Sequence, residues 1–221
     1  MQNIIIPSIN CSDFECIKKR IALASSFKND SSDNWVHVDV SDGKFTPHTS
    51  WNNPEELREL INENKVNTKI EVHLMIENPE TQIEAWLRTG INRVIVHLEA
   101  MQDSVLILEK CKKYNVECFL AIKPDTEIER LLVYVDDFNG FLILGVMPGP
   151  SGQEMKKEII EKIKFLRKSK LNLIIEVDGG VNLETAKLVK EAGANLFVAG
   201  NFIFSSENPS EAYKILEQAV L

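Results

Sequence analysis

The sequence has few of the features that mark membrane, secreted or nucleic-acid-binding proteins. No apolar run approaches the roughly 20 residues that a membrane-spanning helix needs. No basic segment and no long apolar segment precede Asn3-Ile4-Ile5-Ile6-Pro7, so we expect no signal peptide. The net charge of −8 leaves no excess of basic residues for a phosphate backbone. These absences predict a cytoplasmic protein without a nucleic-acid or membrane partner.

Cysteine is also scarce, with four residues and no pair at C-x-x-C spacing. Cys11, Cys16, Cys111 and Cys118 form no Cys/His cluster of the zinc-finger type. We therefore expect all four thiols to be reduced and mostly buried.

Short β-branched runs alternate with longer amphipathic stretches throughout the sequence. The strand-like runs are 3–6, 34–40, 69–75, 92–97, 116–121, 139–146, 173–177 and 195–199. The helix-like stretches are 12–27, 54–64, 79–89, 102–113, 126–134, 153–169, 183–192 and 209–219. Eight strand–helix units of about 25–30 residues predict an α/β protein with a (β/α)8 TIM barrel. No linker or change of composition interrupts them, so we expect one domain over residues 1–221.

A doubly wound open sheet is the alternative fold for such an alternation. That fold usually has fewer strands and a glycine-rich turn after the first strand. In this sequence the first strand is followed by Pro7-Ser8-Ile9-Asn10, which contains no glycine. The barrel is therefore preferred.

Several predicted strands end in polar residues, on the side where a (β/α)8 barrel carries its active site. His37 and Asp39 are two residues apart on the second strand, so their side chains point the same way. His73 lies on the third strand and Asp178 follows the seventh. Two imidazoles and two carboxylates suit Zn²⁺, Fe²⁺ or Mn²⁺, and two carboxylates also favour paired acid and base catalysis. The other residues at strand ends are Ser8, His97, Lys123, Pro148-Gly149 and Gly200.

The chain resembles the ribulose-phosphate 3-epimerase (pentose-5-phosphate 3-epimerase) family over essentially its whole length. The matching segments are Pro7-Ser8-Ile9 with Asp13-Phe14, His37-Val38-Asp39-Val40 with Asp42-Gly43, Val72-His73-Leu74-Met75, Val96-His97-Leu98-Glu99-Ala100, Pro148-Gly149 with Gly152-Gln153, Val177-Asp178-Gly179-Gly180-Val181, and Val198-Ala199-Gly200 with Ile203-Phe204. The resemblance implies a barrel of the ribulose-phosphate-binding type. It also implies metal-dependent, reversible inversion at C3 of D-ribulose 5-phosphate to D-xylulose 5-phosphate in the pentose phosphate pathway, by a homo-oligomer.

The resemblance further implies roles for individual residues. His37, Asp39, His73 and Asp178 match the ligands of one divalent metal ion, which can be Zn²⁺, Fe²⁺, Mn²⁺ or Co²⁺. Asp39 and Asp178 also match the acid/base pair that transfers protons at C3 through a metal-stabilised cis-enediolate. The residues that match substrate contacts are Ser8, His73, Met75, Gly149, Pro150, Ser151, Gly152, Gly179, Gly180, Gly200 and Asn201. The loops after strands 6, 7 and 8 are expected to bind the phosphate, because glycine lets backbone N–H groups approach an anion.

Several positions near the expected site depart from the usual family pattern. They are Ser41, Lys44, His48, Leu144, Pro150, Ser151 and Asn201. Ser41 and Leu144 stand where the family has methionines that form an apolar cap beside the substrate. Pro150 removes a backbone donor and stiffens a loop that is expected to fold over the substrate. Substrate identity is therefore less well defined than reaction type.

Three alternative functions follow from these observations. The first is 3-epimerisation of another ketose phosphate such as allulose 6-phosphate, which the altered cap would favour. The second is metal-free decarboxylation or isomerisation in a phosphate-binding barrel, although such sites typically have a lysine among carboxylates where this chain has His37 and Asp39. The third is a non-catalytic homologue that binds a sugar phosphate or a protein, although none of the expected ligands is missing.

Overall fold

Eight parallel β-strands pair in chain order and close into a barrel. The structure is a computed structural model and describes residues 3–27, 34–63 and 68–221. The strands are β1 Ile4–Ile9, β2 Trp35–Ser41, β3 Lys69–Met75, β4 Arg93–His97, β5 Glu117–Ile122, β6 Gly140–Leu144, β7 Ile175–Asp178 and β8 Leu196–Ala199. The predicted (β/α)8 TIM barrel is thus confirmed.

Helices alternate with these strands. They are α1 Phe14–Ser25, α2 Pro54–Asn62, α3 Pro79–Leu87, α4 Ser104–Tyr114, α5 Ile159–Ser169, α6 Leu183–Ala192, α7 Asn201–Phe204 and α8 Pro209–Val220. A 3₁₀ helix, Ile128–Tyr134, occupies the place of an α-helix between β5 and β6. Within the described ranges, no helix combines the length and the apolar character needed to cross a membrane.

The first strand is longer than predicted, because it continues through a proline. The prediction ended this strand at residue 6, whereas β1 runs to Ile9. Pro7 lies beside Ala199 of β8, and Ser8 lies beside His37 of β2, so both neighbouring strands pair with this part of β1. Ser8 is therefore held on a strand and not in a loop.

Several helices also differ from the prediction in their ends or in their type. α5 begins at Ile159 and not at residue 153, because the Lys156 N–H donates to the Gly145 carbonyl at 2.8 Å and holds the preceding segment at the end of β6. The stretch 126–134 forms a 3₁₀ helix, a form that proteins use in short segments. The predicted helix 54–64 ends at Asn62, and residue 64 lies outside the described residues.

The strands are covered by apolar side chains on both faces, inside the barrel and beneath the helices. The apolar residues packed inside the barrel are Ile6, Trp35, Ile95, Phe119, Ala121, Leu142, Leu144, Leu196 and Val198. A larger cluster, which includes Trp86 and Leu57 of the helices, fills the space between the strands and the helices. Burial on both faces explains why the strands read as nearly continuous apolar runs in the sequence.

The prediction that all cysteines are reduced is wrong for one pair. Cys11 and Cys16 form a disulfide, with Cα atoms 5.9 Å apart. Cys11 follows β1 and Cys16 lies in the first turn of α1, so the tight connection between strand and helix brings them together. Cys111 and Cys118 are free and buried, as expected.

Gly140 begins β6 beside an aromatic ring that leaves no room for a side chain. A Cβ atom at this position would lie 2.4 Å from Cζ of Phe119, which is fully buried. We expect Gly140→Ala to lower the free energy of unfolding by about 1–3 kcal/mol, as overpacking of a core usually does. Chemical denaturation of the two proteins measures this difference.

Phe119→Leu provides the control background, because it shortens the side chain that faces Gly140. In that background the destabilisation by Gly140→Ala should be smaller, since substitutions in contact are not additive. An equal destabilisation in both backgrounds would contradict the steric explanation.

Candidate active site

Two histidines and two aspartates form a cluster at the carboxyl ends of β2, β3 and β7. The register of β2 and β3 places Asp39 beside His73. Asp39 Oδ1 lies 3.2 Å from both His37 Nε2 and His73 Nδ1, and these two nitrogens are 3.3 Å apart. Asp178 Oδ2 lies 3.9 Å from the His37 nitrogen and 3.7 Å from the His73 nitrogen. The fold therefore brings together all four residues predicted as metal ligands.

This cluster is able to hold a divalent cation. Each of its four side chains offers one ligand atom, and these atoms all lie within 4.8 Å of one another. His37 and His73 are fully buried, and Asp39 is nearly so. Two imidazole nitrogens and two carboxylate oxygens suit zinc and the neighbouring divalent transition metals.

The two aspartates of the cluster have opposite pKa shifts. Burial alone would raise the pKa of Asp39, but the interactions with His37 and His73 outweigh it and hold this pKa well below its usual range. Burial and the nearby charge of Asp39 raise the pKa of Asp178 to about 7. Near neutral pH the site thus holds one ionised carboxylate and one carboxyl that can carry a proton. Groups with such divergent pKa values suit acid and base roles.

A cavity of about 500 Å³ opens next to the cluster, and Asp39 and Asp178 line it. All the predicted substrate contacts line this cavity except His73, which is fully buried. The lining residues of that set are Ser8, Met75, Gly149, Pro150, Ser151, Gly152, Gly179, Gly180, Gly200 and Asn201. The Ser8 hydroxyl donates to Asp39 Oδ2 at 2.9 Å, so it contacts the cluster directly.

Glycines after β6 and β7 adopt left-handed backbone conformations at the edge of this cavity. Gly152 has a φ of 86°, Gly179 of 97° and Gly180 of 73°. A Cβ atom on Gly180 would lie 2.5 Å from the backbone nitrogen of Met155, so the loops after β6 and β7 pack directly against each other. Backbone of this kind can direct successive N–H groups at one anion.

Side chains from the loops after β1 and β2 hold the loop after β6. Thr46 Oγ1 donates to the Pro148 carbonyl at 2.8 Å, and Asn10 Nδ2 donates to the Gly149 carbonyl at 3.3 Å. A ring nitrogen of His48 lies 3.3 Å from Asn10 Oδ1. Asn10 also lines the cavity. Neither Asn10 nor Thr46 is among the predicted site residues, because contacts between distant loops leave no local sequence pattern.

The departures from the family pattern lie in different parts of the site. Those that line the cavity are Leu144, Pro150, Ser151 and Asn201. Ser41 is buried, with its hydroxyl 3.9 Å from Met75 Sδ. Lys44 is exposed and lines a smaller neighbouring pocket together with Lys123. The four cavity residues are thus the departures placed to contact a ligand.

A group of buried ionisable side chains lies inside the barrel, next to the His37 ring nitrogen that faces away from the cluster. It consists of Glu71, Arg93 and Glu176, all buried. Burial and the charge of Glu71 raise the pKa of Glu176 to about 8. On the far side of His73, His97 Nε2 lies 2.9 Å from His73 Nε2. Of these residues only His97 has a sequence signal, its place at a strand end, because the others lie within strand runs.

Solved structures of a synthase and of a decarboxylase have the same fold as this chain. The structure of 3-hexulose-6-phosphate synthase superposes with a TM-score of 0.71 at 15% identity, covering 100% of this chain and 100% of that chain. Orotidine 5'-phosphate decarboxylase from Pyrococcus horikoshii superposes with a TM-score of 0.69 at 18% identity, covering 98% of this chain and 99% of that one. At these identities the similarity shows the fold alone.

Sequence comparison is more specific. The model of the ribulose-phosphate 3 epimerase family matches residues 4–204. A ribulose-phosphate 3-epimerase of Chlamydia muridarum is 33% identical over 219 residues, covering 96% of this chain and 93% of that protein. A ribulose-phosphate 3-epimerase of Schizosaccharomyces pombe is 31% identical, covering 100% of this chain and 95% of that protein. This chain therefore belongs to the ribulose-phosphate 3-epimerase family and is an enzyme of the epimerase class.

Proposed function

We propose that this enzyme interconverts D-ribulose 5-phosphate and D-xylulose 5-phosphate by inverting C3. The family match and the activity named for the relatives support this reaction. The observation that carries the proposal is the pair Asp39 and Asp178, two carboxyl groups from different strands at one buried site with opposite pKa shifts. Inversion removes a proton from one face of C3 and returns one to the other face, so it needs two such groups.

In the proposed mechanism, Asp39 and Asp178 act in turn on the same carbon. The ionised Asp39 takes the C3 proton of one epimer and leaves a planar enediolate. Asp178 then donates a different proton to the other face of C3. In the reverse direction Asp178 takes the proton and Asp39 donates it. Each turnover moves one proton from one carboxyl to the other, and exchange with solvent restores the pair.

His37, Asp39, His73 and Asp178 are proposed to hold one divalent cation. The fit rests on Asp39 Oδ1, His37 Nε2 and His73 Nδ1, which lie within about 3.3 Å of one another, and on Asp178, whose ligand atom lies within 4.8 Å of them. When bound, the cation supplies positive charge near the ketose oxygens and eases loss of the C3 proton. Zinc, iron(II), manganese(II) and cobalt(II) are all compatible with this donor set. Which of them binds depends on metal availability as well as on affinity.

The substrate phosphate is proposed to bind at the loops after β6, β7 and β8. The left-handed glycines Gly152 and Gly180 let backbone N–H groups face an anion. Ser151 and Asn201 add side-chain donors, and Lys157 lines the same cavity. Binding by backbone and polar groups is compatible with the acidic net charge of the chain.

Replacing Gly180 by alanine should weaken substrate binding through this loop. Gly180 has a φ of 73°, and its new Cβ atom would lie 2.5 Å from the backbone nitrogen of Met155. If the loop relaxes in the free enzyme and must return to this conformation to bind, backbone strain of about 1–3 kcal/mol corresponds to a rise in KM of about 5–150-fold. Steady-state kinetics with the phosphorylated ketose measures this rise, and we expect kcat to change less.

Gly152→Ala is the matched control for this loop. Gly152 also has a positive φ, of 86°, but the nearest atoms to its new Cβ belong to the Asn201 side chain at 3.7 Å. Its KM should therefore rise less than that of Gly180→Ala. Equal values of KM for the two variants would contradict the close contact between the loops as the cause.

Three further properties are proposed from the sequence and the resemblance alone. They are a single domain over residues 1–221, assembly as a homo-oligomer, and a cytoplasmic location. The acidic net charge supports the expectation that neither nucleic acid nor a membrane is a partner.

Inversion at C3 of a longer ketose phosphate, such as allulose 6-phosphate, is the second candidate function. Leu144, Pro150 and Ser151 depart from the family pattern and line the cavity. Side chains at these positions can change the fit of substrate atoms beyond C3 without affecting Asp39 or Asp178. The two candidates therefore share a mechanism and differ in specificity.

Proton NMR in D2O with the metal-loaded protein tests both candidates. Deuterium at C3 of ribulose 5-phosphate, together with formation of xylulose 5-phosphate, would support the leading proposal. Faster turnover of allulose 6-phosphate in the same assay would favour the second candidate. Absence of exchange with both substrates, in a folded protein with metal bound, would overturn the proposed activity.

A further inference from the structure

We propose that two separate lines of buried hydrogen bonds, one ending at Glu71 and one at Glu99, position His37 and His73 as metal ligands. This inference rests on the proposed metal centre. Each histidine directs one ring nitrogen into the cluster, and its other ring nitrogen begins one of the two lines. Glu71 and Glu99 are thus positioning residues that act through the histidines.

The first line follows the register of the sheet. His37 lies beside Glu71 on β3, which lies beside Arg93 on β4. His37 Nδ1 is 2.8 Å from Glu71 Oε1, and Arg93 Nη1 donates to Glu71 Oε2 at 2.6 Å. The Arg93 guanidinium packs between the rings of Trp35 and Phe119, at 4.1 and 4.0 Å from their centroids. Glu71 is therefore fixed on both sides.

The second line runs from His73 towards the loop after β5. His73 Nε2 is 2.9 Å from His97 Nε2, and His97 Nδ1 is 3.1 Å from Glu99 Oε2. Glu99 Oε1 accepts hydrogen bonds from the Lys123 N–H, at 2.8 Å, and from the Thr126 hydroxyl. The Lys123 N–H and the Thr126 hydroxyl both donate to this carboxylate, which can accept the His97 proton in the same way.

These contacts define the proton positions that a metal site needs. If Glu71 accepts the Nδ1 proton of His37, the Nε2 lone pair of His37 faces the cluster. If Glu99 accepts the Nδ1 proton of His97, then His97 Nε2 accepts the Nε2 proton of His73. The Nδ1 lone pair of His73 then faces the cluster as well. Hydrogen bonds to the outer nitrogen are the usual means by which proteins orient ligand histidines.

Replacing Glu71 by glutamine keeps the size of the side chain but breaks this arrangement. The Arg93 guanidinium donates to Glu71, and so does the proposed Nδ1 proton of His37, whereas a glutamine offers one acceptor and one N–H₂ group. Arg93 has only donors, so the amide oxygen will face Arg93 and the N–H₂ group will face His37. His37 must then accept at Nδ1 and carry its proton on Nε2, where a metal would bind. Glu99→Gln has the same conflict with the donors around it.

Glu176→Gln is the matched control. Glu176 is as fully buried as Glu71 and belongs to the same group of ionisable side chains. Its carboxyl lies 3.5 Å from His37 Nδ1 and 3.6 Å from Arg93 Nη1, whereas the corresponding contacts of Glu71 are 2.8 and 2.6 Å. A general effect of charge or packing inside the barrel would change the metal affinity of Glu71→Gln and Glu176→Gln alike.

The test is the affinity for Zn²⁺, measured by competition with a chromophoric chelator, for the wild type and the three variants. We expect Glu71→Gln and Glu99→Gln to bind Zn²⁺ about 10–100-fold more weakly than the wild type. Glu176→Gln should keep an affinity close to that of the wild type. Nitrogen NMR of the zinc-loaded proteins should show His37 protonated at Nδ1 in the wild type.

The possible results separate this inference from the proposed function. Equal affinity of Glu71→Gln, Glu99→Gln and Glu176→Gln would overturn the inference while leaving the metal centre intact. Failure of the wild type to bind Zn²⁺ would overturn the metal centre, and this inference with it. If Glu71→Gln does not fold, Glu99→Gln carries the test, because Glu99 lies at the partly exposed end of its line.

Discussion

The variant Asp178→Asn is expected to fold as the same barrel and to lose epimerase activity. Loss of one acid/base group typically lowers kcat by about 10²–10⁴-fold. Asparagine keeps the size of the side chain and an oxygen that can bind a metal, but it cannot carry the transferred proton. The measurement is kcat at saturating metal, with circular dichroism to show that the barrel is intact.

Proton exchange gives this prediction a sharper form. In Asp178→Asn, Asp39 can still take the C3 proton of one epimer and return a solvent proton to the same face. Deuterium should therefore enter that epimer from D2O without inversion, and Asp39→Asn should show exchange in the opposite epimer only. Asp125→Asn is the control, because Asp125 is an exposed carboxylate after β5. Full activity of Asp178→Asn, or exchange in the same epimer for both variants, would contradict the two-carboxylate mechanism.

The barrel can be predicted from the sequence because its strands are buried on both faces. The strand predicted at 69–75 is β3, Lys69–Met75, and its apolar run reflects cover by the barrel interior on one side and by helices on the other. Eight such runs in alternation with amphipathic helices are typical of few folds other than the (β/α)8 barrel.

Element boundaries are less predictable where a distant part of the chain decides them. The stretch from residue 153 has helical periodicity, yet α5 begins only at Ile159. The hydrogen bond between the Lys156 N–H and the Gly145 carbonyl replaces the first turns of that helix. The disulfide between Cys11 and Cys16 is a similar case, because it depends on how closely α1 follows β1.

The candidate site shows the same division between local and distant contributions. The two-residue spacing places His37 and Asp39 on one face of β2, and this can be seen in the sequence. The contact of Asp39 with His73 depends on the register of β2 and β3, which no local pattern in either strand sets. Glu71 and Arg93 lie within strand runs and have no motif, so their connection to His37 appears only in the structure.

Removal of the divalent cation is expected to abolish epimerisation without unfolding the barrel. A metal ion at such a site is worth several kcal/mol of transition-state stabilisation, so we expect activity to fall by at least about 10³-fold. The fold should persist because the empty cluster compensates its own charge. Burial would lower the pKa of His37, but Asp39 and the other carboxyl groups around it raise that pKa well above its ordinary value. A His37 cation beside an Asp39 anion can therefore replace the metal in the folded protein, although it cannot replace its chemistry.

Dialysis against a chelator, followed by measurement of kcat and of the thermal midpoint, tests this prediction. Activity should return when Zn²⁺, Fe²⁺, Mn²⁺ or Co²⁺ is added in turn, and the metal that restores it best at physiological concentration identifies the working cofactor. The thermal midpoint should rise with metal concentration, because a ligand that binds only the folded state stabilises it by mass action. As a control, the same treatment of Asp125→Asn should give the wild-type response. Full activity in protein without measurable metal would show instead that Asp39 and Asp178 act without a cation, beside the His37 imidazole, whose pKa is raised.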